Sequence, residues 1–147
     1  MNNRIHLAES DAQILDSYAV MSELRPHISR EEFLARVRRQ SEINGFRLAY
    51  LIEGDVKAVA GFRISEWLGG GKYMEIEDLV AKSGERSKGF GGELFDWLVE
   101  YARRENCDQI KLVSHVKRFG AHKFYLEKRM IIEAHYFSLK LQSGKSD

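Results

Sequence analysis

The chain has 147 residues, enough for one domain and too few for two comfortable ones. A formal net charge of +1 gives no basis for a nucleic-acid or membrane surface, and the lone cysteine, Cys107, excludes an internal disulfide framework. No apolar run approaches the ~20 residues of a membrane span, and the opening MNNRIHLAES lacks the apolar core of a secretory signal. The expectation is a cytoplasmic, globular protein with a single domain over residues 1–147.

Arg4 to Glu9 alternates as a first strand. Ser10 or Asp11 can cap a helix whose apolar stripe is Ile14, Leu15, Tyr18, Ala19 and Met21. Pro26 ends it, because the residue before proline is steered away from helical angles. Ser29, followed by Glu31 and Glu32, starts a second helix with Phe33, Leu34 and Val37 inward, ending near Asn44-Gly45. Phe46 to Ile52, a turn at Glu53-Gly-Asp55, and Val56 to Ile64 read as a hairpin. After a second turn at Trp67–Lys72, Tyr73 to Val80 continues the meander.

A helix over Phe90 to Arg104 carries apolar residues at Phe90, Leu94, Trp97, Leu98 and Tyr101, close to the 3.6 period. Ile110 to Val113 is a short strand reached by a helical crossover, so it is expected parallel to its predecessor. Arg118 to Lys128 reads as a last helix with Phe119, Phe124 and Leu126 apolar, and Ile131 to Leu141 as a closing strand. Gln142 to Asp147 reads as a frayed tail. The order β-α-α-β-β-β-α-β-α-β defines an α/β (α+β) class with a mixed, mostly antiparallel sheet of about six strands flanked by about four helices.

The stretch that carries chemistry is Arg86-Ser87-Lys88-Gly89-Phe90-Gly91-Gly92, which follows a strand and opens a helix. Three glycines at a helix start are costly, at roughly 1 kcal/mol each against alanine, and point to close approach of a ligand to the backbone. Helix N-termini present unpaired N–H groups and the positive end of the dipole, so that ligand is an anion such as phosphate. The spacing is neither a P-loop nor a dinucleotide fingerprint. The competing reading is a flexible surface turn.

Alternation places Tyr73, Glu75, Glu77 and Leu79 on one strand face and Asp78 on the other. Glu75 and Glu77, about 7 Å apart, could each disfavour ionisation of the other, which is the way a general base is tuned. The competing reading is a polar strand face toward solvent. Tyr125, by periodicity alone, is an aromatic core residue. Ser114 and His115 point apart in a strand and do not make a nucleophile–base pair. His115, His122 and His135 lack metal-ligand spacing, so no metal is expected. Cys107 reads as a structural thiol, and Lys117, Arg118 and Lys123 as a solvated helix face.

Together, Arg86-x-x-Gly89-x-Gly91, the preceding Glu77-Asp-Leu-Val80 and the later Ala121-His-Lys-Phe124-Tyr125 resemble, in order, the motifs of the GCN5-related N-acetyltransferase (GNAT) superfamily. The resemblance covers roughly Tyr73 to Leu139. It implies acetyl-CoA as co-substrate, with Leu79, Val80 and Ala81 pairing with the pantetheine arm like an added strand. The amides from Ser87 through Lys88, Gly89, Phe90 and Gly91 to Gly92 would hold the pyrophosphate, with Arg86 at the loop entrance. Tyr125 would protonate the departing sulfur, and Glu77 would take the amine proton, directly or through water, with Glu75 the second candidate on the strand face. Arg25 and His27 lie where the family lines its acceptor pocket. Arg118 stands where the family often has asparagine, which leaves one cofactor contact unassigned. Arg129-Met130 replaces the usual Gly-Phe.

The implied reaction is acetyl transfer to a primary amine of a small molecule or peptide, by direct attack in a ternary complex. Members of that family commonly pair, so the resemblance admits a homodimer, while charge, apolar runs and histidine spacing point to no nucleic-acid, membrane or metal partner. The alternatives are a non-catalytic acyl-CoA-binding sensor or interaction module, and a phosphate-binding protein of another class.

Overall fold

Short-range caps set the first helices. Ser10 accepts from the Gln13 amide while the Gln13 side chain accepts from the Ser10 amide, so two orphan donors are satisfied reciprocally. This opens α1 (Asp11–Asp16), which breaks at the buried Ser17 and continues as α2 (Tyr18–Leu24). Ser29 accepts from the Glu32 amide and opens α3 (Arg30–Asn44), which Gly45 closes in a left-handed conformation. A computed structural model of the chain describes residues 3–142. It divides into two compact units, Met1–Leu112 and Val113–Asp147.

In the first unit, β1 (Ile5–Leu7), β2 (Arg47–Glu53), β3 (Asp55–Trp67), β4 (Gly71–Ala81) and β5 (Gln109–Leu112) form a five-stranded sheet in sequence order. The first four strands are antiparallel to their neighbours, and β5 is parallel to β4, as the helical crossover requires. That crossover is α4 (Phe90–Arg104), which buries Phe90, Leu94, Phe95, Leu98 and Ala102. The fold is therefore a mixed α/β sheet flanked by helices.

Residues opposite one another across an antiparallel pair project to the same side. Val59 and Val80 are such a pair, and they pack with Ile14, Val20, Met21, Phe33 and Val37 of α1 to α3. Phe62 lies on the other side, where its ring meets Tyr101 of α4 edge-on at 5.3 Å between centroids. Each face of the sheet thus has its own helical cover.

The second unit holds α5 (Phe119–Glu127). Its expected apolar face is not buried, for Phe119 is 75% exposed and Leu126 51%. The sixth strand expected over Ile131 to Leu141 is not formed among the described residues. Ile132, Phe137 and Leu139 stand more than four-fifths exposed, at 81%, 88% and 84%. Apolar alternation gives a segment the capacity to be a strand, but a strand also needs a partner edge. Of the expected tail, residues 143–147 lie outside the described residues.

Candidate active site

The pairing of β4 with β5 stops early. It runs from Tyr73↔Gln109 to Ile76↔Leu112, whereas β4 itself continues to Ala81. Beyond Ile76, β4 is laddered to β3, with Ala60↔Leu79, Val59↔Val80 and Ala58↔Ala81. Among the described residues of the first unit, the opposite edge of Leu79, Val80 and Ala81 has no strand partner. An extended guest can add there by main-chain hydrogen bonds.

The loop that follows is ordered by ion pairs. Arg86 donates from Nε to the Ala81 carbonyl at 3.0 Å and from Nη2 to Glu23 at 3.2 Å. Glu23, at the end of α2, also accepts from the Ser83 amide at 3.0 Å. Lys88 donates to Glu85 at 3.1 Å, and Glu85 is held from its other side by Lys57 at 2.9 Å. Arg86 to Lys88 form one 3₁₀ turn, and Gly89 (φ 82°) turns the chain into α4. A side chain at that φ is strained, so Gly89 is required by conformation. Helix α4 begins with no side-chain cap. A Cβ placed on Gly91 would lie 3.7 Å from the Ala81 Cβ, so the first turn of α4 packs directly on the end of β4. The helix start and the open strand edge are neighbours. This suits a ligand with an anionic group at one end and an extended amide-bearing arm at the other.

A β-bulge reorganises the carboxylates. Gly61 pairs with Asp78 and Phe62 with Ile76, so Glu77 is an extra residue on β4. The bulge shifts the alternation: Met74 and Ile76 share the α4 face with Leu79 and Ala81, while Glu75 and Asp78 share the opposite one. This corrects the expectation that Leu79 lies with Glu75 and that Asp78 lies apart from it. Glu77 also turns to the Glu75 side, where its carboxylate is bound by Arg63 Nε. Arg63 Nη2 lies 3.6 Å from Glu75, so one guanidinium stands between the two acids. Burial raises the Glu77 carboxyl above the ordinary glutamate value, with Arg63 opposing the shift.

Arg25 does not stand free to meet a substrate. It donates from Nε to Asp78 Oδ1 at 2.8 Å and from Nη2 to the Glu77 carbonyl at 3.2 Å. His27 is exposed. Sequence reasoning misses Arg63, Glu23 and the pinning role of Arg25. Arg63 is within its reach, because counting back from the tight turn at Trp67 and Gly71 sets Arg63 opposite Glu75.

In the second unit, burial raises the half-buried Tyr125 hydroxyl above its ordinary value, with Arg118 opposing. Ser114 Oγ is buried without a hydrogen-bond partner. His115 accepts from the Lys117 amide at 3.1 Å, and His122 Nε2 meets the His115 carbonyl at 2.9 Å, so both rings take part in shaping the turn before α5.

The sheet opened at β4, followed by a glycine-led helix without a side-chain cap, is the geometry that the comparisons with known proteins place in a family. The model of the acetyltransferase (GNAT) family matches residues 12–130, and the chain belongs to that family. It is 31% identical over 137 residues to the uncharacterized N-acetyltransferase YhdJ of Bacillus subtilis, covering 90% of this chain and 96% of the relative. Among solved structures, it resembles the aminoglycoside 6′-N-acetyltransferase of Acinetobacter baumannii with a TM-score of 0.78 at 14% identity, covering 95% of this chain and 98% of the other. It resembles glucosamine-6-phosphate N-acetyltransferase of Arabidopsis thaliana with a TM-score of 0.73 at 21% identity, covering 94% and 97%. The protein is an acetyltransferase, in a family that generally uses acetyl-CoA.

Proposed function

We propose that the protein moves an acetyl group from acetyl-CoA to a primary amine of a small molecule or peptide, by direct attack in a ternary complex. The observation that carries this reading is the adjacency of the open edge of Leu79–Ala81 and the uncapped start of α4, brought together at Gly91 and Ala81. The edge offers main-chain groups to the amides of a pantetheine arm. The amides from Ser87 to Gly92 offer donors to a diphosphate, and Arg86 and Lys88 add positive charge beside them.

When bound, acetyl-CoA supplies an activated thioester. The amine lone pair attacks its carbonyl carbon and the carbon–sulfur bond breaks. The ammonium proton passes to Glu77, directly or through water, and the departing thiolate takes the Tyr125 proton. Burial shifts the Glu77 carboxyl upward, the direction that strengthens a carboxylate as a base, with Arg63 opposing. Tyr125 takes its role from its place in the Ala121–Tyr125 motif. Its raised value keeps the hydroxyl protonated, so the proton is present to be passed on. The two relatives acting on an aminoglycoside and an amino sugar phosphate support a small polar amine as acceptor.

Thermal unfolding with acetyl-CoA tests the binding half. At ~100 times its dissociation constant, the ligand stabilises the fold by about 2.7 kcal/mol. Thiol release with a panel of polyamines, aminoglycosides, amino sugars and peptides tests the transfer half. Stabilisation with no thiol release from any amine would favour a sensor over an enzyme. Absence of stabilisation would remove the reading altogether.

A further inference from the structure

Glu77 is the residue that the β3–β4 ladder leaves over, and a bulge does not by itself fix where its extra side chain points. Its main-chain carbonyl has a specific partner, which is Arg25 Nη2 at 3.2 Å. The same guanidinium binds Asp78 Oδ1, through Nε at 2.8 Å. A planar fork that serves two acceptors on successive residues fixes their relative orientation, which a single ammonium cannot do. Arg25 is itself held. It caps α2 with its amide on the Met21 carbonyl at 2.9 Å, and Pro26 after it restricts its backbone, here at φ −122°. On the far side, Gly61 leaves the space that the Asp78 carboxylate fills, for a Cβ there would lie 2.6 Å from Oδ2.

We propose that Arg25 is a positioning residue: by clamping the Asp78 carboxylate and the Glu77 carbonyl together it locks the β4 bulge and thereby aims the Glu77 carboxylate at its place beside Arg63. The catalytic consequence rests on the reading of Glu77 as base. The clamp itself does not. The charged groups around Glu77 are Arg63 from β3, Glu75 and Asp78 from β4, and Arg25 from the end of α2.

Two variants separate a clamp from simple charge neutralisation. Arg25→Lys keeps the charge and loses the fork. The double variant R25M/D78N removes one charge of each sign and leaves no buried ion unpaired, which protects folding. Both are followed by NMR titration of the Glu77 carboxyl carbon in the ligand-free protein, and by kcat and KM for acetyl-CoA across pH. With the clamp gone, Glu77 is freer to reach solvent, so its titration midpoint falls toward that of an exposed glutamate in both variants. The acid limb of the kcat profile moves down with it, and kcat drops about 10- to 100-fold with KM for acetyl-CoA within about twofold. Arg25→Lys is the decisive variant, because it keeps the Asp78 charge that itself raises Glu77, whereas R25M/D78N removes that charge; a Glu77 titration in folded Arg25→Lys identical to the parent would overturn the clamp. A displaced titration with unchanged turnover would uphold the clamp and instead remove Glu77 from the transfer step.

Discussion

A Cβ on Gly61 would lie 2.6 Å from Asp78 Oδ2 and 2.5 Å from Phe46 Cζ. Phe46 is buried, so neither its ring nor the clamped carboxylate can withdraw cheaply. Gly61→Ala is therefore expected to cost about 1–3 kcal/mol, the range for an overpacked core, in a urea titration of the folded protein. A cost of a few tenths would mean that Gly61 and Asp78 are not cross-strand partners.

Gly89 stands at φ 82° with open space around the site of a Cβ, so the penalty for a side chain there is conformational rather than steric. Gly89→Ala should lose about 1–2 kcal/mol, the usual cost of the left-handed region for an L residue. Relaxation of that strain would re-aim the amides that follow. Calorimetry is expected to show weaker coenzyme A binding, whereas Gly120→Ala, with open space and an ordinary φ, leaves binding unaltered.

Acid stability should depend on the cluster around Lys57. Hydrogen bonds from Lys57 and Lys82 hold Asp55 well below the usual carboxylate range, and those from Lys57 and Lys88 lower Glu85. Carboxyls whose folded values are depressed contribute stability above their unfolded values, near 4, and lose it as pH falls through the folded ones. Lys57→Met is expected to lower the melting temperature at pH 7 and to lower it progressively less as pH falls below about 4, with part of the difference still present at pH 2. Glu77 and Asp78 act with the opposite sign, because burial raises both. A melting difference that stays constant from pH 7 to pH 2 would show that Lys57 acts through packing instead.

Tyr125→Phe removes only the hydroxyl. If that group protonates the departing sulfur, kcat should fall by about 10²–10⁴, the scale of general acid catalysis, with acetyl-CoA affinity nearly kept. Rapid-quench and equilibrium binding measurements separate the two. Unchanged kcat with a chemistry-limited turnover would take Tyr125 out of the mechanism.

Features governed by neighbours along the chain are legible in the sequence itself. Ser10, Ser29 and Gly45 announce helix ends through local hydrogen bonds and backbone freedom, and Glu53-Gly-Asp55 announces its hairpin. The crossover helix makes β5 parallel. The loop from Arg86 to Gly92 stands out because three glycines in a first helical turn conflict with propensity. The bulge at Glu77 leaves no such mark, since it is created by the register of β4 against β3 rather than by any residue in the strand. Simple alternation therefore puts Asp78 on the wrong face and leaves its partner Arg25 to the acceptor pocket. Ile131 to Leu141 misleads for a related reason: alternation reports a capacity to pair and carries no information about the edge that would accept it.

The extra residue at position 77 acts on β4 like a frameshift in the message of a gene. Upstream of it the even-numbered side chains belong to the α4 layer, and downstream the odd-numbered ones do. Were residue 77 instead paired in one unbroken phase with β3, Val80 would turn toward α4 and Ala81 toward the layer of α1 to α3. The open edge of Leu79, Val80 and Ala81 would then present its donors and acceptors in exchanged order, although every residue of the loop was intact.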